Sequence, residues 1–77
     1  MTAAEDTKWI TLLRSGENAY IYDDFEGIVI KFIPDNDRCA YVKRQGQEEY
    51  KIEHSAKIVY EAKMGGKLVD ENFYNEY

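Results

Sequence analysis

The apolar positions fall into short runs separated by turn-forming residues, and these runs set the expected order of elements. Residues 8–13 are rich in Trp, Ile, Thr and Leu, types that suit a half-buried pleated surface, so a first strand is expected there. Ser15-Gly16-Glu17-Asn18 is a turn signal, and residues 19–22 follow as a second strand. Asp23-Asp24-Phe25-Glu26-Gly27, acidic and closed by a glycine, has the character of a hairpin loop. Residues 28–33 are apolar at nearly every position, as a central strand covered on both faces requires. Pro34-Asp35-Asn36-Asp37 then turns the chain, with proline pre-set for the first corner, and residues 39–43 return as a fourth strand. Strands joined by such short connections predict an antiparallel meander.

The pattern changes period after Gly46-Gln47. Residues 49–54 alternate well enough to make a further strand, in which case Ser55 would cap a shorter helix. The longer window, residues 48–64, fits a helix: Ile52, Ser55, Ala56, Val59 and Ala62 share one arc, with Tyr50, Glu53, His54, Lys57 and Glu61 opposite. Glu53 and Lys57 add a favourably ordered i,i+4 pair, and the helical pattern is preferred for its length. Gly65-Gly66 ends the helix, read as a left-handed glycine cap. Asp70 can cap a final helical turn, with Glu71 suited to the positive end of its dipole.

The expected fold is therefore α+β: a four-stranded antiparallel meander packed against a C-terminal helix, with a short terminal helical turn. Residues 1–7 are read as a flexible tail and residues 8–77 as a single domain. Ile10, Leu12, Ile21, Ile28, Ile30, Phe32 and Val42 are the sheet-side core candidates, and Ile52, Ala56, Val59 and Ala62 the helix-side ones.

Composition narrows the function more than it names it. A chain of 77 residues has 11 aromatic rings, seven of them tyrosine, if Trp9 and the three phenylalanines are included. A domain this short buries a small share of its surface, so several rings are expected to stand outside as contact area. The net charge of −5 disfavours nucleic-acid phosphate and favours a basic partner. One cysteine, Cys39, rules out an internal disulfide, and the first residues carry neither the basic start nor the apolar run of a signal peptide. No stretch reaches the roughly 18 apolar residues of a membrane span. A cytoplasmic protein is expected.

Candidate chemistry is sparse. His54, the one histidine, has no nucleophile motif beside it and reads as a solvated surface residue. Cys39 opens a strand and reads as a small, partly buried side chain. The acidic clusters 23–26 and 35–37 lack the alternating spacing of a calcium loop, and no phosphate loop, C-x-x-C pair or H-E-x-x-H motif is present. No catalytic residue, metal ligand or cofactor is assigned, and no enzymatic activity is expected.

What remains is binding. Tyr20, Tyr22, Phe25, Tyr50 and Tyr77 are the expected aromatic anchors, because aromatic side chains dominate contact hot spots. Asp23, Asp24 and Glu26, with Asp35, Asp37, Asp70, Glu71 and Glu76, would steer a protein partner with a basic surface, standing where phosphates otherwise would. In overall character the chain resembles the small acidic proteins of bacteriophages and mobile elements, many of which bind and inhibit a host protein. That resemblance rests on no diagnostic motif; it implies an inhibitor or regulator and transfers no functional residue. The alternative is a single-stranded nucleic-acid-binding domain using Tyr41, Lys43, Arg44 and Lys51 with Tyr50. A homodimer joined through an exposed strand edge is a further option for an open sheet.

Overall fold

Helix α1 (Ala3–Arg14) occupies the stretch expected to hold the first strand, and it begins within the segment expected to be a tail. The computed structural model describes residues 3–35 and 38–77, with side chains from Lys8 onward. The β propensity of individual residues in 8–13 loses to their spacing. Trp9, Leu12 and Leu13 recur at i, i+3 and i+4, one stripe of a helix, and all three pack on the core. The helix closes with Gly16 in the left-handed region (φ 85°). Gly16 N–H donates to Leu13 O at 3.1 Å and Glu17 N–H to Leu12 O at 2.9 Å, the paired bonds of a Schellman ending.

Strands β1 (Ala19–Asp23), β2 (Ile28–Phe32), β3 (Cys39–Arg44) and β4 (Tyr50–Glu53) form the antiparallel meander. Helix α2 (Lys57–Gly65) carries the chain back across the sheet to β5 (Lys67–Val69), which pairs with β1, and α3 (Glu71–Glu76) ends the fold. The sheet has five strands in the order β4-β3-β2-β1-β5. The α+β class stands, with two corrections to its parts. The strand expected over residues 8–13 is a helix, and the helix expected over 48–64 is split into β4 and a shorter α2. Tyr50–Glu53 pairs with β3, so the ladder bonds of Ala40–Ile52 and Val42–Tyr50 outweigh the longer helical pattern.

Alternation within each strand divides the side chains between two faces. The inner face carries Ala19, Ile21, Ile28, Ile30, Phe32, Ala40 and Val42, all buried, and receives Val59 and Ala62 of α2 with Trp9, Leu12 and Leu13 of α1. The outer face carries Tyr20 and Val29, covered by Tyr74 of α3. The expected two layers are thus joined by a small third. Most predicted core residues lie where expected; Ile10 is half-buried outside the main cluster, and Ile52 and Ala56 are half-buried at its border.

Two caps differ from expectation in their physics. The residue that caps α2 is Ala56, with no side-chain bond, rather than Ser55. Gly66 is extended (φ −85°), so it is not a left-handed cap. Space explains it: a Cβ there would stand 2.5 Å from Ile21 Cγ2, 2.7 Å from Ala62 O and 2.9 Å from Tyr22 O. Asp70 does cap α3 as expected, accepting from Phe73 N–H at 2.9 Å.

Candidate functional site

The β1–β2 hairpin presents Phe25 to solvent at 90% exposure, the most exposed large apolar side chain among the described residues. Its turn is held from beneath. Asp23 is buried, and its Oδ1 accepts from Phe25 N–H at 3.1 Å and Glu26 N–H at 3.4 Å. Gly27, in the left-handed region (φ 70°), closes the loop by donating its N–H to Asp23 O at 2.9 Å. Asp23 therefore shapes the loop, while Asp24 is exposed and Glu26 half-exposed beside Phe25.

An aromatic group adjoins the hairpin. Tyr22 lies 4.9 Å from Phe73 and 5.4 Å from Tyr77 between ring centroids, and Phe73 stacks on Tyr77 at 5.7 Å. Tyr77 reaches the hairpin base, because a Cβ on Gly27 would stand 3.9 Å from its hydroxyl. Partial burial raises the Tyr77 phenol pKa above its ordinary value, with the Tyr22 hydroxyl and nearby Asp24 acting in the same direction. The end of the chain is anchored where Tyr77 O accepts from Gly46 N–H at 2.8 Å. Arg44 Nη1 donates to Glu26 O at 3.4 Å, tying β3 to the hairpin.

Across the outer face, register sets Val69, Tyr20, Lys31, Tyr41 and Lys51 in one row, strand by strand. Two basic members of this face, Lys31 and Lys43, are engaged, while Lys51 is exposed. Lys31 Nζ pairs with Glu49 Oε1 at 3.0 Å and sits 5.0 Å from the Tyr41 ring. Lys43 Nζ donates to Tyr74 O at 2.8 Å and Asn75 O at 2.9 Å, satisfying the last carbonyls of α3. The Tyr74 hydroxyl donates to the same Glu49 oxygen at 2.5 Å. That hydrogen bond, aided by Lys31, lowers the Glu49 carboxyl below its ordinary value, whereas burial and the Glu49 charge push the Tyr74 phenol up.

On the opposite side of the sheet His54 is half-buried, its ring edge-on to Phe32 at 5.3 Å, instead of lying on a solvated helical face. Its Nδ1 lies 3.4 Å from Lys63 Nζ. That ammonium also stands 4.8 Å from the Trp9 ring, and desolvation lowers its pKa. With Glu53 in β4, the i,i+4 pair on α2 is Lys57–Glu61 at 4.0 Å, in place of Glu53–Lys57. Cys39 opens β3 and is half-buried.

The expected anchors scatter. Asp24, Phe25 and Glu26 lie on the β1–β2 loop, with Tyr22 and Tyr77 at its base. Tyr20 is buried beneath Tyr74 at 5.1 Å and is an internal contact. Tyr50 is exposed on the far edge strand. Asp70 is committed to its cap; Asp37, with Asn36 of the second acidic cluster, lies outside the described residues. Sequence reasoning missed Phe73, exposed beside Tyr22, and the Tyr74–Glu49–Lys31 cluster. No local signal links residues 25 positions apart. Among the described residues no group of three or more His, Cys, Asp and Glu side chains could hold a metal ion. None of the described helices is long and apolar enough to cross a membrane. No known family model, curated protein or solved structure matches this chain.

Proposed function

We propose that the chain is a protein-binding module that inhibits or regulates its partner, docking through the β1–β2 hairpin tip. The observation that carries this reading is Phe25, 90% exposed on a turn whose backbone N–H groups are hydrogen-bonded to Asp23. A large ring presented by a pre-formed turn loses little conformational freedom on binding, which is what makes an efficient anchor. Asp24 and Glu26 flank it, Tyr22, Phe73 and Tyr77 extend the aromatic surface, and the net charge of −5 steers a basic partner toward it.

The nucleic-acid reading has less support because, of its cations, Lys43 and Arg44 are occupied by the α3 carbonyls and by Glu26 O, which leaves Lys51 exposed. The test is affinity capture from lysate with wild type, Phe25→Ala, and Tyr60→Ala as a control that removes another exposed ring. Loss of the same bound proteins in Phe25→Ala but not in Tyr60→Ala is the expected result. Identical recovery with Phe25→Ala overturns the hairpin as the docking element. Retention of single-stranded nucleic acid at moderate salt would favour the alternative.

A further inference from the structure

Strand β4 is an edge of the sheet, and its backbone polarity can be read from the ladder. His54 N–H donates to Arg38 O at 2.8 Å, continuing the register in which Ala40 faces Ile52. Backbone groups alternate sides along a strand, so Tyr50, Ile52 and His54 turn theirs toward β3. Lys51 therefore turns its N–H and C=O outward and Glu53 its N–H, while Glu53 O already accepts from Ala56 N–H at 3.0 Å. Both side chains are exposed, and among the described residues neither takes part in an ion pair. The opposite edge, β5, has only three residues.

This edge is complementary to itself. Place Ile52 opposite Ile52 of a second copy on a two-fold axis, with the strands antiparallel. Lys51 then faces Glu53 of the second copy, and Glu53 faces its Lys51. These are the residues with outward backbone groups, so in each such pair Glu53 N–H can donate to Lys51 O of the other copy, two bonds across the axis. Opposite charges directly across a ladder attract, and like charges repel. Sliding the strands by two residues sets Lys51 against Lys51 in one direction and Glu53 against Glu53 in the other. Sliding by one residue sets outward backbone groups against inward ones and removes the bonds. Edge charges normally protect against promiscuous pairing; here their order admits one register and penalises its neighbours.

We propose that β4 pairs with β4 of a second copy in this register, joining two five-stranded sheets into one. The half-buried Ile52 side chains meet on the inner face at the axis, with the exposed Tyr50 ring beside His54 of the second copy. This edge is separate from the hairpin tip, so either reading can fail without the other.

Sedimentation equilibrium on wild type, Lys51→Glu, Glu53→Lys and an equimolar mixture of the two variants tests it, with circular dichroism to show that each chain is folded. Wild type is expected to dimerise, and each variant alone to do so at least roughly tenfold more weakly, because both cross-strand pairs become repulsive. The mixture should regain the dimer, since the acidic strand of one variant then faces the basic strand of the other. A single chain carrying both exchanges should dimerise like wild type, which covers the case of one variant failing to fold. A monomeric wild type at about millimolar concentration, single variants that dimerise as wild type does, or a mixture that stays monomeric would each overturn the pairing.

Discussion

The Tyr74 hydroxyl donates to Glu49 at 2.5 Å, fastening the last helix to the residue just before β4 across 25 positions of sequence. Lys31 completes the contact from the middle of the sheet, 3.0 Å from the same oxygen. Tyr74 is buried, so the bond is shielded on one side, while Glu49 remains in contact with water. Tyr74→Phe should cost about 1.5–2 kcal/mol, the lower part of the range for a hydrogen bond to a charged group. Denaturant unfolding checks it.

The same contact gives the stability a pH signature. Glu49 titrates below its ordinary value of 4.5 in the folded chain, so its contribution is present above that pH and is lost as pH falls through the lowered folded value. Tyr74 titrates above its ordinary 10.0, so its contribution holds below pH 10.0 and is lost as pH rises toward the raised folded value. Thermal melts of Glu49→Gln against wild type should differ at pH 7 and converge in acid. A constant difference across the acid range would show that Glu49 contributes through packing alone.

Adjacent glycines at the end of α2 should respond in opposite ways. Gly65 has open space around its missing Cβ and no positive φ, so Gly65→Ala should be neutral or stabilise by up to about 1 kcal/mol. At Gly66 the added carbon meets backbone at Ala62 O and Tyr22 O as well as Ile21, and the chain must shift. Gly66→Ala should cost about 2–3 kcal/mol by overpacking. Urea midpoints of the two variants measure the contrast directly.

Two phenylalanines separate stability from surface. Phe32 is buried against Trp9 at 5.2 Å, and Phe32→Ala should cost about 3–5 kcal/mol, enough to unfold a domain of this size. Phe25→Ala should change stability by no more than about 0.5 kcal/mol, because the ring has almost nothing to lose. Calorimetry that found Phe25→Ala strongly destabilising would mean that the ring packs on the molecule.

The cap of α3 is also measurable. Asp70→Ala removes the acceptor of Phe73 N–H and should cost about 1 kcal/mol. Because α3 carries Tyr74 over Tyr20, loosening it should reduce the near-ultraviolet dichroism of the tyrosines before the far-ultraviolet signal of the sheet changes. Simultaneous loss of both signals would show that α3 and the sheet unfold as one unit.

The sequence by itself determined the local features. Short apolar runs placed β1, β2 and β3, turn residues placed the loops between them, and Asp70 followed by Glu71 placed the cap of α3. Each depends on neighbours within a few positions, which a reading of the chain contains. Residues 8–13 read as a strand because their side chains favour β structure, although they are also spaced as a helix; residues 48–54 offered both readings, a helical arc that also alternates. Tertiary packing decided both, giving Trp9, Leu12 and Leu13 a sheet to cover and Tyr50–Glu53 a strand to pair with. It alone buried Tyr20 under Tyr74, joined Glu49 to Lys31, grouped Tyr22 with Phe73 and Tyr77, and left Phe25 outside. Composition fixes how many rings a chain has; which of them find an interior depends on contacts between residues far apart, and those exist only once the chain has folded.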